Sequence, residues 1–209
     1  MSAKILARWK PWQVLLVFGL LQCGLTSLGV YFFDYFAGSA TVGFGRMGPV
    51  GGTGMFFIYM LGFLNALVVL IPVHQLGFFG AGALVYLPFF VIGLPVEYYY
   101  EVRLNPVLKG LWAVLGWCLT GPLAGLGADL AHRYLPHSLP PGWRASLTGL
   151  ALGAGSYLFT LAALAFFYTV PLSIEAGSFA GLSYFCLPWL LAHSALGGLT
   201  AGALVRTQA

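Results

Sequence analysis

Charge is what this sequence lacks. Of its 209 residues only 7% are Asp, Glu, Lys or Arg, nine basic and five acidic, while 60% are apolar and 16% aromatic. An ordinary soluble domain carries about 25% charged residues. Nine cations and five anions cannot clothe the surface of a water-soluble fold of this length, and the mean hydropathy of +0.90 says the same. A disordered chain is excluded too, because disorder requires low hydrophobicity and high net charge. The sequence also lacks any basic run, so the pI of about 9.1 comes from a surplus of four charges on a nearly uncharged chain, and nucleic acid is excluded as a partner. Cysteine is scarce and odd in number. Cys23, Cys118 and Cys186 each fall in an apolar stretch, with no CxxC and no Cys/His pair at metal-ligand spacing, so they are read as small packing residues. There is no GxxxxGK[ST] loop for ATP, and no cofactor is expected.

What the sequence has in quantity is long apolar runs. A helix crossing about 30 Å of hydrocarbon needs about 20 residues. That ruler predicts an all-α integral membrane protein, a single polytopic domain over 1–209 with six spans near 12–33, 55–73, 76–96, 106–130, 145–168 and 180–205. The second and third are separated by a tight connection, Pro72-Val73-His74-Gln75, with Pro72 supplying the break. Lys4, Arg8 and Lys10 precede an apolar run too long for a signal h-region, so the first run is read as a retained span.

Charge then orients the bundle. With both termini in the cytoplasm, Lys4, Arg8, Lys10, Arg133, Arg144 and Arg206 lie inside and Arg46, Arg103 and Lys109 outside, which obeys the positive-inside rule. Trp9, Trp12, Tyr31, Tyr35, Trp143 and the run Tyr98-Tyr99-Tyr100 sit at the expected interfaces. The localisation read from these features is a multi-pass protein of the cell membrane, with the lipid bilayer as its first partner. Gly121/Gly125, Gly149/Gly153 and Gly198/Gly202 form GxxxG pairs on the last three spans, where small residues let helix backbones approach.

The segment 34–54 contains Gly43-x-Gly45-x-x-Gly48, formally a dinucleotide fingerprint. It follows an apolar helix instead of a strand and falls on the outer side, so nucleotide binding is rejected. The two readings left are a plain connector and a lid on the bundle. The outer ends also carry Glu97, Glu101, Arg103 and Glu175, read either as solvated helix ends or as an entrance for a polar or cationic solute.

Polar groups at mid-depth are costly in lipid and default to functional candidates. Gln22 lies twelve residues past Lys10, Ser156 twelve past Arg144 and His193 thirteen before Arg206. At 1.5 Å per residue each is about 18–20 Å from the inner boundary. Asn65 in the second span and Thr120 in the fourth complete a layer of five ligand-binding candidates: Gln22, Asn65, Thr120, Ser156 and His193. Such a layer either lines a small-molecule site or ties helices together. Bis-histidine haem fails because His74, His132 and His137 lie at other depths than His193. No metal site is expected, for want of clustered carboxylates or thiolates.

Two resemblances bear on function. Gly153-Ala-Gly-Ser156 with Ala192-His193 looks faintly like the Ser/His dyad of a rhomboid intramembrane protease, although Tyr157 stands where those enzymes have glycine after the serine. Six helices, cytoplasmic termini and a long outer loop after the first helix resemble the substrate-binding components of energy-coupling-factor vitamin transporters. That likeness is one of topology only: the AxxxA motif of their first helix is replaced by Gly19, Cys23 and Ser27. The expected function is small-solute transport or membrane solute binding. The alternatives are a non-catalytic accessory subunit of a larger membrane complex, with other membrane subunits as partners, and an intramembrane Ser/His enzyme.

Overall fold

The computed structural model describes residues 9–38, 62–104, 109–167 and 187–206, and the regular structure among these described residues is helical throughout. The elements are α1 (Pro11–Gly38), α2 (Asn65–Leu76), α3 (Ala81–Val85), α4 (Leu87–Tyr98) with a π-helical extension over Tyr99–Leu104, α5 (Leu111–Tyr134), α6 (Pro141–Phe167) and α7 (Leu187–Arg206). Two of them, α5 and α7, are long and apolar enough to cross a membrane; Pro11–Ser27, Gly62–Leu76 and Leu87–Tyr98 are apolar but shorter.

The break between the expected second and third spans is displaced. Proline was expected to end the helix, but α2 runs through Pro72 to Leu76 and stops at Gly77, whose φ of 65° is left-handed and whose N–H donates to the Val73 carbonyl. Pro72 forfeits one hydrogen bond while its own φ suits a helix. Gly77 adopts the αL cap that side chains resist, and so it terminates. The expected third span is likewise two helices, α3 and α4, meeting at Tyr86, with Pro88 in the first turn of α4.

Contacts fix the order of the helices. Gly82 and Tyr86 lie against Gly125 and Gly121, so the α3–α4 unit runs antiparallel to α5. At the start of α5 and the end of α6, the Lys109 N–H donates to the Phe167 carbonyl at 2.9 Å, and Lys109 Nζ donates to the Phe166 carbonyl at 3.2 Å. At the opposite end, Arg144 Nη2 at the start of α6 donates to the His132 carbonyl at 3.0 Å. Gly149 and Gly198 pack α6 on α7: a Cβ on Gly198 would stand 2.9 Å from the Gly149 Cα. A Cβ on Gly125 would come within 2.5 Å of the Gly82 backbone. The GxxxG pairs therefore sit at helix crossings, where only hydrogen at Cα allows the approach.

The core gathers Val14 and Phe18 of α1, Val69, Leu70 and Val73 of α2, Ala81 and Val85 of α3, Ala124 and Ala128 of α5, Leu152 of α6 and Ala201 of α7. The outward faces are as apolar as the core. Leu20, Val91, Trp112, Leu158, Phe166 and Leu196 are all at least half exposed. The buried set, by contrast, includes Gln22, Asn65, Glu97, Asp129, Thr148, Ser156 and Ser194. Among the described residues, large apolar side chains are thus exposed while several polar ones are buried.

Candidate functional site

The polar side chains meet where α1, α2 and α3 converge. Gln22 is on the inward face of α1, one turn beyond Phe18 and two beyond Val14, a spacing that keeps all three on one face. Its Nε2 donates to Asn65 Oδ1 at 2.8 Å, and Nε2 also reaches Thr26 Oγ1 at 3.3 Å. Asn65 opens α2, and its Oδ1 also accepts from the Tyr86 hydroxyl at 2.7 Å. One carbonyl oxygen thus joins three helices, in a spot where Gln22 and Asn65 are each 2% exposed and Tyr86 5%. Gln22 Oε1 is buried there with no hydrogen-bond partner among the described residues. A buried acceptor without a donor is costly, and it offers a place for a donor to bind.

The structure therefore brings together two of the five candidates and adds a third residue, Tyr86. Sequence reasoning treated tyrosines as interface anchors. The missed signal was that Tyr86 falls inside the expected third span, ten residues from each of its expected ends and not at a span end where the other tyrosines were placed. The other three candidates lie elsewhere. The Thr120 hydroxyl donates back to the Trp117 carbonyl at 2.8 Å, spending its proton on its own helix. Ser156 is buried within α6. His193 Nδ1 lies 2.9 Å from the Trp189 carbonyl one turn earlier. Its Cβ is 3.1 Å from where a Cβ on Gly62 would stand, so it faces the turn leading into α2. Ser194, next in sequence, faces Gly149 and Gly153 of α6.

Asp129 is a further residue whose role was not legible. It accepts from the Gly82 N–H with both carboxylate oxygens at 3.1 Å and from the amides of Gly80 and Ala83. It therefore caps the start of α3, the sole buried acid on that side of the bundle among the described residues.

Among the described residues no three His, Cys, Asp or Glu side chains come together in a way that would hold a metal ion. Cys23 and Cys118 are free thiols on α1 and α5. The glycine-rich segment 39–54, with the lid reading and the Gly43–Gly48 pattern, lies outside the described residues, as do Glu175 and Cys186. No family model matches the chain, and no curated protein or solved structure matches it.

Proposed function

We propose that the chain is a six-pass protein of the cell membrane, with both termini cytoplasmic, that binds a small solute for transport, using polar groups held at mid-depth. The observation that carries this reading is the Gln22–Asn65–Tyr86 junction with its unpartnered Gln22 Oε1. In this reading the junction forms one wall of the site, and Ser156, Thr120 and His193, which the fold holds apart from the junction on α6, α5 and α7, are proposed as more distant contributors. Apolar residues facing outward on every long helix support the membrane placement. A solute suited to these groups is uncharged or singly charged and has at least one hydrogen-bond donor, which Gln22 Oε1 would accept. The partners are then the bilayer and the solute itself.

The test is detergent purification followed by a thermal-shift screen of small polar solutes on the wild type and on His193→Leu. A true ligand at a hundred times its Kd stabilises the wild type by about 2.7 kcal/mol. The His193→Leu protein should keep its unliganded stability and lose most of that gain. A chain that purifies only within a fixed multi-subunit assembly and responds to no solute would favour the accessory-subunit reading instead. Full transport by His193→Leu would remove His193 from the site.

A further inference from the structure

The end of the bundle where α2, α5 and α7 finish and α6 begins collects cationic and imidazole side chains from four helices. His74 of α2 and His132 of α5 meet edge to face, with ring centroids 4.9 Å apart and planes at 71°. Arg144 of α6 reaches over the end of α5 to the His132 carbonyl. Arg206 of α7 is folded back, its Nε donating to the Gly202 carbonyl at 2.9 Å. His74 Nε2 and Arg206 Nη2 each lie 3.8 Å from the point a Cβ on Gly202 would occupy, a point already crowded by Ala145 Cβ at 2.6 Å, so both groups border the same α6–α7 crossing.

This cluster has two arginines and no acid paired with them among the described residues. His74 Nε2, His132 Nδ1 and Arg144 Nε are all shielded from solvent with no hydrogen-bond partner among the described residues. The nearest acid on these helices, Asp129, is turned away and taken up by the amides of Gly80, Gly82 and Ala83. Burial first, and then the positive charges of His132, Arg206 and Arg144, hold His74 down to about pH 4; His132 is lowered too, by burial and by Arg144 and His137. Both rings lie past Val73 and Leu130, where the apolar stretches of their helices end. A buried guanidinium nitrogen without an anion, as at Arg144, is expensive, and a planar guanidinium beside imidazoles suits an oxyanion; Arg206 is exposed and open to a ligand. The two arginines also exclude a metal cation from the same place. Tyr134 and Trp143, 74% and 66% exposed, flank the cluster in sequence, at the level where aromatic residues sit among lipid headgroups.

We infer that His74, His132, Arg144 and Arg206 form a binding site for a phosphate group at this end of the bundle, separate from the mid-depth junction. The phosphate is carried either by an anionic lipid headgroup or by a free phosphate compound. The site stands on its own residues and does not depend on the solute-binding reading.

The test uses the full chain in phosphate-free detergent. The thermal midpoint is followed while inorganic phosphate is titrated at constant ionic strength with chloride, and then in nanodiscs of phosphatidylcholine alone or mixed with phosphatidylglycerol. A rise with inorganic phosphate identifies a free-phosphate site. A rise only with phosphatidylglycerol identifies a lipid-headgroup site. Either rise should weaken about tenfold or more in apparent affinity in Arg206→Gln and in His74→Gln, since a hydrogen bond to a charged group is worth about 1.5–3 kcal/mol. Arg206→Lys should recover part of it. Arg144→Gln is the less informative variant, because it also removes the bond to the His132 carbonyl. If neither probe shifts the wild type beyond chloride, or if both variants respond like the wild type, the site does not exist.

Discussion

Replacing Asn65 by leucine is the most direct test of the three-helix junction. The two side chains have the same branching and number of heavy atoms, so the change opens no cavity, and the larger methyl groups of leucine add a crowding cost to the loss of hydrogen bonds. Asn65 Oδ1 accepts from Gln22 Nε2 at 2.8 Å and from the Tyr86 hydroxyl at 2.7 Å. With leucine there, Tyr86 loses its partner, and Gln22 keeps only the 3.3 Å contact with Thr26. Each stranded buried donor costs about 1–3 kcal/mol in a water-soluble reference, but interhelical bonds in membranes average about 0.6 kcal/mol and reach about 1.7. Two such bonds give an expected loss of about 1–3 kcal/mol. Tyr86→Phe removes one bond together with its donor and leaves Asn65 paired to Gln22, so it should cost about 1 kcal/mol or less. In the double variant the two losses should overlap, because both remove the same bond. The assay is unfolding in mixed detergent micelles, monitored by helical circular dichroism. An Asn65→Leu protein as stable as the wild type, or a Tyr86→Phe loss equal to that of Asn65→Leu, would refute the junction as described.

Reporters fused after Arg206 and within 133–144 should read cytoplasmic and those within 37–53 extracytoplasmic; a C-terminal reporter outside would overturn the six-span arrangement. Gly198→Ala should destabilise by about 1–3 kcal/mol, because the new methyl meets the Ala145 carbonyl and the Gly149 backbone and neither can yield. Gly24→Ala is the matched control: its Cβ meets nothing within 4 Å, so melting should be unchanged or slightly raised. The fourth expectation concerns pH. His74 is held near 4 against an ordinary 6.5, so the fold accommodates its neutral form. That contribution is complete above about pH 6.5 and is lost as pH falls towards 4, approaching about 3 kcal/mol. The charged and titratable groups acting on it are His132, Arg206 and Arg144. Melting profiles of wild type and His74→Gln between pH 7 and pH 4 should converge as the pH falls, and bound phosphate should reduce the wild-type loss. Profiles that run parallel would show that His74 does not titrate in this way.

The long apolar runs of the sequence were enough to indicate helices, because an apolar run of about 20 residues is far longer than a strand, and the regular structure among the described residues is helical. Spacing alone placed the glycine pairs on helix crossings, since a four-residue repeat of small residues presents one bare stripe per helix. The choice of partners was beyond the sequence. Depth counting put Gln22, Asn65, Thr120, Ser156 and His193 in one layer, but depth is only one coordinate. The rotation of each helix about its axis decides which side chains meet, and packing sets that rotation. Packing turned Gln22 and Asn65 toward Tyr86, turned His193 toward Gly62, and left Thr120 bonded to its own helix. It also ended α2 at Gly77 in place of Pro72 and drew four helix ends together, so that His74, His132, Arg144 and Arg206, up to 132 residues apart in the sequence, gather at one end of the bundle.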